Sequence, residues 1–260
     1  GRDYIKSEDE RKHLAELSLK AAHKALRNNV IRPASRYFAF GMELIREDQD
    51  NKIFKDLLIG QSECEYLLGD YAVSEELFDR AVKNARSKLN KADILCRKMA
   101  LYENTQRHAI AIDTAREGLK YLGFTLPKKV TQLHVMKKLL MVKWMLRNKT
   151  TDELLNNKEM TSPDKKVIMK TLMNLWGPVY LLQKQEMLAF KILKMVQYSI
   201  KYGNSIESAL AYAFYGYVAS AQLNDYNGGF DFAQLGMALN QKLKDKTLRS
   251  KVIVIAEGCV

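Results

Sequence analysis

The stretch from Asp56 to Ala85, DLLIGQSECEYLLGDYAVSEELFDRAVKNA, constrains the fold more than any other part of the chain. Its apolar residues recur with a helical period on both sides of Gly69-Asp70. A glycine there can adopt the left-handed conformation that ends a helix. The spacing therefore predicts one helix over 56–68 and a second over 71–85. Small residues (Gly60, Ser62, Cys64, Ser74, Ala81) fall where the two helices must approach, and Leu58, Tyr66, Leu68, Tyr71, Leu77, Phe78 and Val82 fill the space between. A hairpin of this kind buries its apolar face only against neighbours, so the rest of the chain has to supply them.

It does so with helices. Only 4 prolines and 13 glycines occur in 260 residues, so strands joined by tight turns are excluded as the main architecture. Ser7-Glu8-Asp9-Glu10 has the pattern of a capping box and opens a helix to about Asn28. Asn29 to Pro33 reads as a connection, Ala34 to Ile45 as the next helix, and Glu47 to Asn51 as a polar break. After the hairpin come helices over 91–104 and 107–122, closed by Gly123-Phe124-Thr125-Leu126-Pro127. The helical run over 128–148 is different in kind. No acidic residue occurs from Gly118 through Thr151, and Lys128, Lys129, Lys137, Lys138, Lys143 and Arg147 form a candidate basic patch. Thr150 and Glu153 fit a capping box before a short helix. Ser162-Pro163-Asp164 starts a helix with a cap, then proline, then an acid, and the helix is expected to reach Gln183 with a bend at Gly177-Pro178. A helix over 184–202 follows, with Asn204 and Glu207 expected to cap the next one. Asn224-Asp225-Tyr226 repeats the Gly69-Asp70-Tyr71 turn in variant form. The resulting division is 1–127 helical hairpins, 128–161 basic helix and spacer, and 162–260 further hairpins.

The Asp56–Ala85 hairpin resembles a tetratricopeptide repeat, a helix–turn–helix unit of about 34 residues. On that pattern Ser74 and Ala81 take the small positions of the second helix and Phe78 its aromatic position. Ser62 stands where glycine or alanine is usual, and Leu58 where tryptophan is. Ala111 and Gly118 take the small positions of a degenerate second copy, with His108 at the turn and Ala115 at the aromatic position. The series ECEYLLGDYAVSEELFDRAV, EGLKYLGFTLP, TDELLN and KMVQYSIKYGNSIESALAYAFYGYV…NDYNGGFDFAQLGMAL resembles the helical-repeat region of very large bacterial signalling proteins. Those carry a serine/threonine kinase-like domain, a STAND-type ATPase, these helices, then sensor modules and often a histidine kinase. The resemblance implies an all-α, right-handed superhelix of stacked antiparallel hairpins, a TPR-like α-solenoid. It also implies a cytoplasmic, non-catalytic interaction or relay role that holds or releases the ATPase. The charge of the 128–148 helix is not implied by it.

The residues themselves exclude several chemistries. There is no GxxxxGK[ST] phosphate loop and no HRD, DFG or glycine-rich kinase loop. His13, His23, His108 and His134 lie on different expected helices with no HExxH or paired Cys/His spacing, so neither a metal, a cofactor nor a catalytic residue is assigned. Glu63 and Glu65 are two apart and do not share a helix face. Cys64 reads as a small core residue, and the scattered Cys64, Cys96 and Cys259 suggest no disulfide framework and a reduced compartment. The candidate interaction surface is Tyr37, Glu63, Tyr66, Tyr212 and Tyr215, although the aromatic cluster from Tyr212 to Tyr217 fits a hairpin core as well as a groove. Its partner would be a protein or peptide, or another domain of the parent chain. A net charge of +12 keeps nucleic-acid binding as the alternative, while the 128–148 lysines also read as a solvated face with the apolar side packed inward. The polar start Gly1-Arg2-Asp3-Tyr4 and the unpaired apolar helix at 246–256 lead us to expect a piece of a longer protein. That last helix, with Leu248, Val252, Ile253, Val254, Ile255 and Ala256, is expected to pack on a second copy or to be loosely ordered, the alternative being that it folds back onto the preceding helix.

Overall fold

The computed structural model describes residues 7–45 and 52–258. All regular structure among them is helical. The chain divides into two compact units, Gly1–Gln106 and Arg107–Val260. The boundary falls inside the third expected hairpin rather than at Pro127.

The first unit holds α1 (Glu8–Arg27), α2 (Ile31–Leu44), α3 (Lys52–Leu68), α4 (Tyr71–Asn84) and α5 (Lys88–Asn104). Each packs on the next. The Ser7 hydroxyl accepts from the Glu10 amide at 3.3 Å and caps α1. The α3–α4 hairpin follows the expected register. Leu58, Ser62, Ser74, Phe78 and Ala81 are all buried, and Ser74 Oγ donates to the Ser62 carbonyl at 2.7 Å, tying the two small positions together. Gly60 is needed on α3 because a Cβ there would collide with the Phe38 ring of α2. Phe38 then anchors a core cluster with Ala15, Ala22, Ala34, Leu57 and Cys64, and Phe78 anchors a second with Phe54, Leu58, Leu77, Ala81 and Ile94. Three starts differ from expectation. α2 begins at Ile31, not after Pro33. α3 begins a turn early, at Lys52. α5 begins at Lys88, capped by Ser87, whose hydroxyl accepts from Asn90 N–H at 3.0 Å. The expected polar break at 47–51 lies outside the described residues.

The second unit holds α6 (His108–Tyr121), α7 (Gln132–Leu146), α8 (Thr151–Leu155), α9 (Pro163–Asn174), α10 (Trp176–Leu181), α11 (Gln185–Tyr202), α12 (Ile206–Leu223), α13 (Tyr226–Leu243) and α14 (Arg249–Glu257). The segment 128–161 is integral to it: α7 packs on α11 and α8 on α13. Thr150 and Glu153 form the expected capping box, each accepting the other's amide, at 3.1 and 2.9 Å. The helix that starts at Pro163 does not bend but breaks at Leu175, ahead of Gly177-Pro178, into α9 and α10. The terminal helix folds back. Leu248, Val252 and Ala256 are buried and α14 packs on α12 and α13, which takes half of the apolar strip that suggested a homodimer, while Val254 stays exposed.

A single turn geometry recurs. Asn29, Gly69, Gln106, Gln183 and Asn224 all have positive φ, between 54° and 88°. Each is followed by the N-cap of the next helix, Val30, Asp70, Arg107, Lys184 or Asp225, with φ from −85° to −100° and ψ from 51° to 79°. At Gly69-Asp70 the amides reach back to Tyr66 O (3.1 Å) and Glu65 O (2.9 Å), and at Gln183-Lys184 to Tyr180 O (2.9 Å) and Val179 O (3.0 Å), the double bond of a Schellman end. Asp70 and Asp225 then accept from Val73 and Gly228 N–H at 3.3 and 3.0 Å. The variant turn at Asn224 thus shares the positive φ and the aspartate cap of the one at Gly69, but its amides reach back to a single carbonyl, Ala219 O, with Asp225 N–H at 3.0 Å.

Candidate interaction surfaces

Of the residues expected to form one concave surface, Tyr37, Glu63 and Tyr66 lie in the first unit. Tyr37 is 45% exposed on α2. Glu63 is half-exposed and already engaged: Arg97 of α5 reaches it at 2.9 Å and also Asp93 at 3.4 Å. These carboxylates outweigh burial and hold the Arg97 guanidinium above its ordinary value. Tyr66 is half-buried, with its ring centroid 5.7 Å from that of Tyr71. Tyr212 and Tyr215 belong to the second unit and are 0% and 5% exposed. They are core residues, so the groove reading of the aromatic cluster is overturned for both. Burial pushes both phenols up, Tyr215 to about 12.

Tyr212 has an internal task. Its hydroxyl donates to Asn204 Oδ1 at 3.3 Å, and Asn204 is the centre of a bracket that lays residues 157–160 across the α11–α12 junction. Asn204 Nδ2 donates to Leu154 O at 2.7 Å. Its backbone receives Met160 N–H at 2.8 Å and donates to Lys158 O at 2.7 Å. Asn157 Nδ2 donates to Ser199 O at 2.9 Å. Gly203, at φ 106°, sits beneath this crossing, where a Cβ would collide with Lys158 O. Asn204 was expected to cap α12. The N-cap is Ser205 instead, whose N–H donates to Ser208 Oγ at 2.9 Å, because the Asn204 side chain is committed to α8.

The basic patch is divided by the helix geometry. Val142 is the buried residue of α7, Val135, Leu139 and Leu146 are half-buried, and α7 packs on α11. The opposite face carries Leu133, Met136, Leu140 and Trp144, which are 78, 57, 65 and 62% exposed. Lys137, Lys143 and Arg147 flank this strip and are exposed, as are Lys128 and Lys129 before the helix. Arg147 stacks on Trp144 with its guanidinium carbon 5.0 Å from the ring centroid. Lys138 is half-buried on the α11 side. The expectation of an apolar side packed inward with a basic face outward is therefore corrected: much of the apolar surface points out, between the cations.

The remaining features offer little reactive chemistry. Among the described residues no three His, Cys, Asp or Glu come together to hold a metal, and no helix is long and apolar enough to cross a membrane. Burial first, then Glu63 and Glu65, push the Cys64 thiol up to about 12, so it stays protonated in its core. Cys259 lies outside the described residues. A cleft of about 640 Å³ between α10, α11 and α12 is lined by Trp176, Tyr180, Lys184, Leu188, Phe214 and Tyr217.

No protein-family model matches the chain. The chain is similar to the hybrid signal transduction histidine kinase G of Dictyostelium discoideum, at 23% identity over 276 aligned residues. That similarity covers 95% of this chain but 8% of the much longer kinase, so the chain is related to one segment of a signalling protein.

Proposed function

We propose that this chain is a non-catalytic interaction or signal-relay segment of a multi-domain signalling protein, built as a TPR-like array of stacked helical hairpins. The outer face of α7 carries this reading. A continuous strip of large apolar side chains left on the surface marks an interaction site rather than a random exposure. Its occupant is an acidic amphipathic helix, supplied by another domain of the parent chain or by a separate protein. Lys137, Lys143 and Arg147 flank the strip with no acid in the segment, so a second copy would set like charges against each other. The repeated Schellman turns and the similarity to a histidine kinase segment support the repeat and relay parts of the proposal. In the parent, such a segment would hold an ATPase or kinase domain at rest and pass on its release.

A photo-crosslinking residue at Leu140 in the full-length parent tests this. We expect adducts to a segment rich in Asp and Glu, lost when Lys137, Lys143 and Arg147 are changed to Glu. Adducts only between copies of the chain, or none, would overturn it. The net charge of +12 supports nucleic-acid binding as the rival. That rival requires affinity for duplex DNA that falls steeply with salt, as counterion release demands.

A further inference from the structure

On the other side of α7, away from the strip just described, the second unit assembles a row of lysines on a row of rings. Phe124, Tyr198 and Tyr202 form a ladder, with centroids 5.9 Å apart from Phe124 to Tyr198 and 5.1 Å from Tyr198 to Tyr202. Lys194 Nζ lies 5.3 Å from the Phe124 centroid and 5.8 Å from that of Tyr198. Lys201 and Lys165 Nζ lie 5.1 and 5.3 Å from the Tyr202 centroid. Lys138 reaches the same place from α7 and, with Lys201, repels Lys194. The carboxylate at this site is Asp164, which is spent on Lys165 at 2.8 Å and on the Ser162 hydroxyl. Among the described residues, these four lysines against one aspartate leave a local charge of +3 drawn from α7, α9 and α11.

Such an arrangement is costly without an anion. Lys194 is half-buried between like charges and, among the described residues, no carboxylate pairs with it. Desolvation, then Lys138 and Lys201, push its ammonium down to about 8. The ring contacts favour these positions of the ammonium groups against the repulsion.

We propose that this seam binds a ligand carrying clustered phosphate groups, through Lys138, Lys165, Lys194 and Lys201. A single carboxylate would meet one lysine at a time, because the cations are spread along the ladder. Adjacent phosphates present several oxyanions, so one ligand can meet more than one of these cations, and lysine recognises each as a point charge. Stacking of nucleobases is not the basis of recognition. Phe124 is 3% exposed and the rings are faced by ammonium groups, so they offer no open platform. The same chemistry fits a soluble polyphosphorylated molecule and a polyphosphorylated lipid headgroup.

The test uses the whole chain and two probes at physiological salt: inorganic tripolyphosphate by calorimetry, and phosphatidylcholine vesicles with or without a bisphosphorylated inositol lipid by sedimentation. We expect saturable binding to at least one. Tripolyphosphate alone assigns a soluble ligand, and doped vesicles alone assign a headgroup. Lys194→Met with Lys201→Gln should weaken binding by about tenfold or more, as loss of two charge-assisted contacts implies. The control pair Lys83→Gln with Lys88→Gln removes the same charge from exposed positions of the first unit and should change affinity by less than about twofold. Lys201→Gln alone, at an exposed position, preserves the fold and should give an intermediate loss. In wild type, the Lys194 ammonium followed by NMR should titrate higher once tripolyphosphate or the doped vesicle is bound. Absence of binding to both probes, or equal losses in the two double variants, would overturn the proposal.

Discussion

α7 and α12 are both rich in large apolar side chains, and they meet opposite fates. α12 contributes Tyr212, Phe214 and Tyr215 to the core, whereas α7 leaves Leu133, Met136, Leu140 and Trp144 outside. The difference lies in their small residues. α12 presents Ala209, Ala213, Gly216 and Ser220 to α13, which answers with Gly229, Ala233 and Gly236. The two backbones nearly touch: a Cβ at Gly216 would lie 2.5 Å from Gly229 O, and one at Gly236 would lie 2.7 Å from Ala209 O. Large rings then close the flanks. Phe214 stacks on Trp176 at 4.0 Å and Tyr215 meets Phe232 edge-on at 4.7 Å. α7, QLHVMKKLLMVKWML, has no glycine, alanine or serine, so its outer side offers no seat for the backbone-close contact that α12 and α13 make. Small residues decide which helix is surrounded, and large ones fill what remains.

The comparison breaks most visibly at Gly229. A side chain there meets Ser220 Oγ and, at 2.9 Å, the Gly216 carbonyl, which is backbone and cannot rotate aside. Gly229→Val should separate α12 from α13 and cost about 3 kcal/mol, the upper part of the overpacking range. The chemical-denaturation midpoint measures it. If the midpoint does not move, close backbone approach is not what buries α12.

Much of this was legible in the chain. The Asp56–Ala85 hairpin is local, and its small and large positions specify their own partners, so Ser74, Phe78 and Ala81 lie where the period places them. Asn224-Asp225-Tyr226 was readable as the Gly69 turn because an aspartate cap acts within three residues. The positive φ of Gln106 and Gln183 was not, since nothing in glutamine favours that conformation and the path of the hairpin imposes it. Asn204 misled for a related reason. A cap and a long-range bracket use the same side chain, and only the partner, Leu154 O, tells them apart. Tyr212 and Tyr215 look like a ligand surface until Asn204 and Phe232 are found beside them. Lys194 gave no local signal, because its neighbours Phe124 and Lys138 come from distant parts of the chain.

A second variant asks whether the small-residue rule extends to the first unit. Ala81 is buried in the cluster around Phe78. It shares that cluster with the long side chains of Phe54, Leu58, Leu77 and Ile94, which can give a little. Ala81→Leu should cost about 2 kcal/mol, less than Gly229→Val, read from the same midpoint shift. A cost equal to or above that of Gly229→Val would mean that ring packing, not backbone approach, sets the limit.

The smallest effect belongs to the outer face of α7. Leu133 and Leu140 are 78% and 65% exposed, so removing them gives back little buried area. Leu133→Ser with Leu140→Ser therefore should shift the stability of the isolated chain by no more than about 0.5 kcal/mol in either direction, as surface changes do. Serine is a weaker helix former than leucine, which accounts for a few tenths of a kcal/mol of that. Val142→Ser, made on the inward face of the same helix, should cost clearly more, because Val142 is buried and a lone hydroxyl would take its place. The two variants together separate the two faces of one helix without changing its neighbours. If the outer double variant destabilises as much as Val142→Ser, the strip is covered within the chain itself and is no docking face. If it leaves the fold intact but raises solubility, the strip is free in the isolated chain, as the α7–α12 contrast requires.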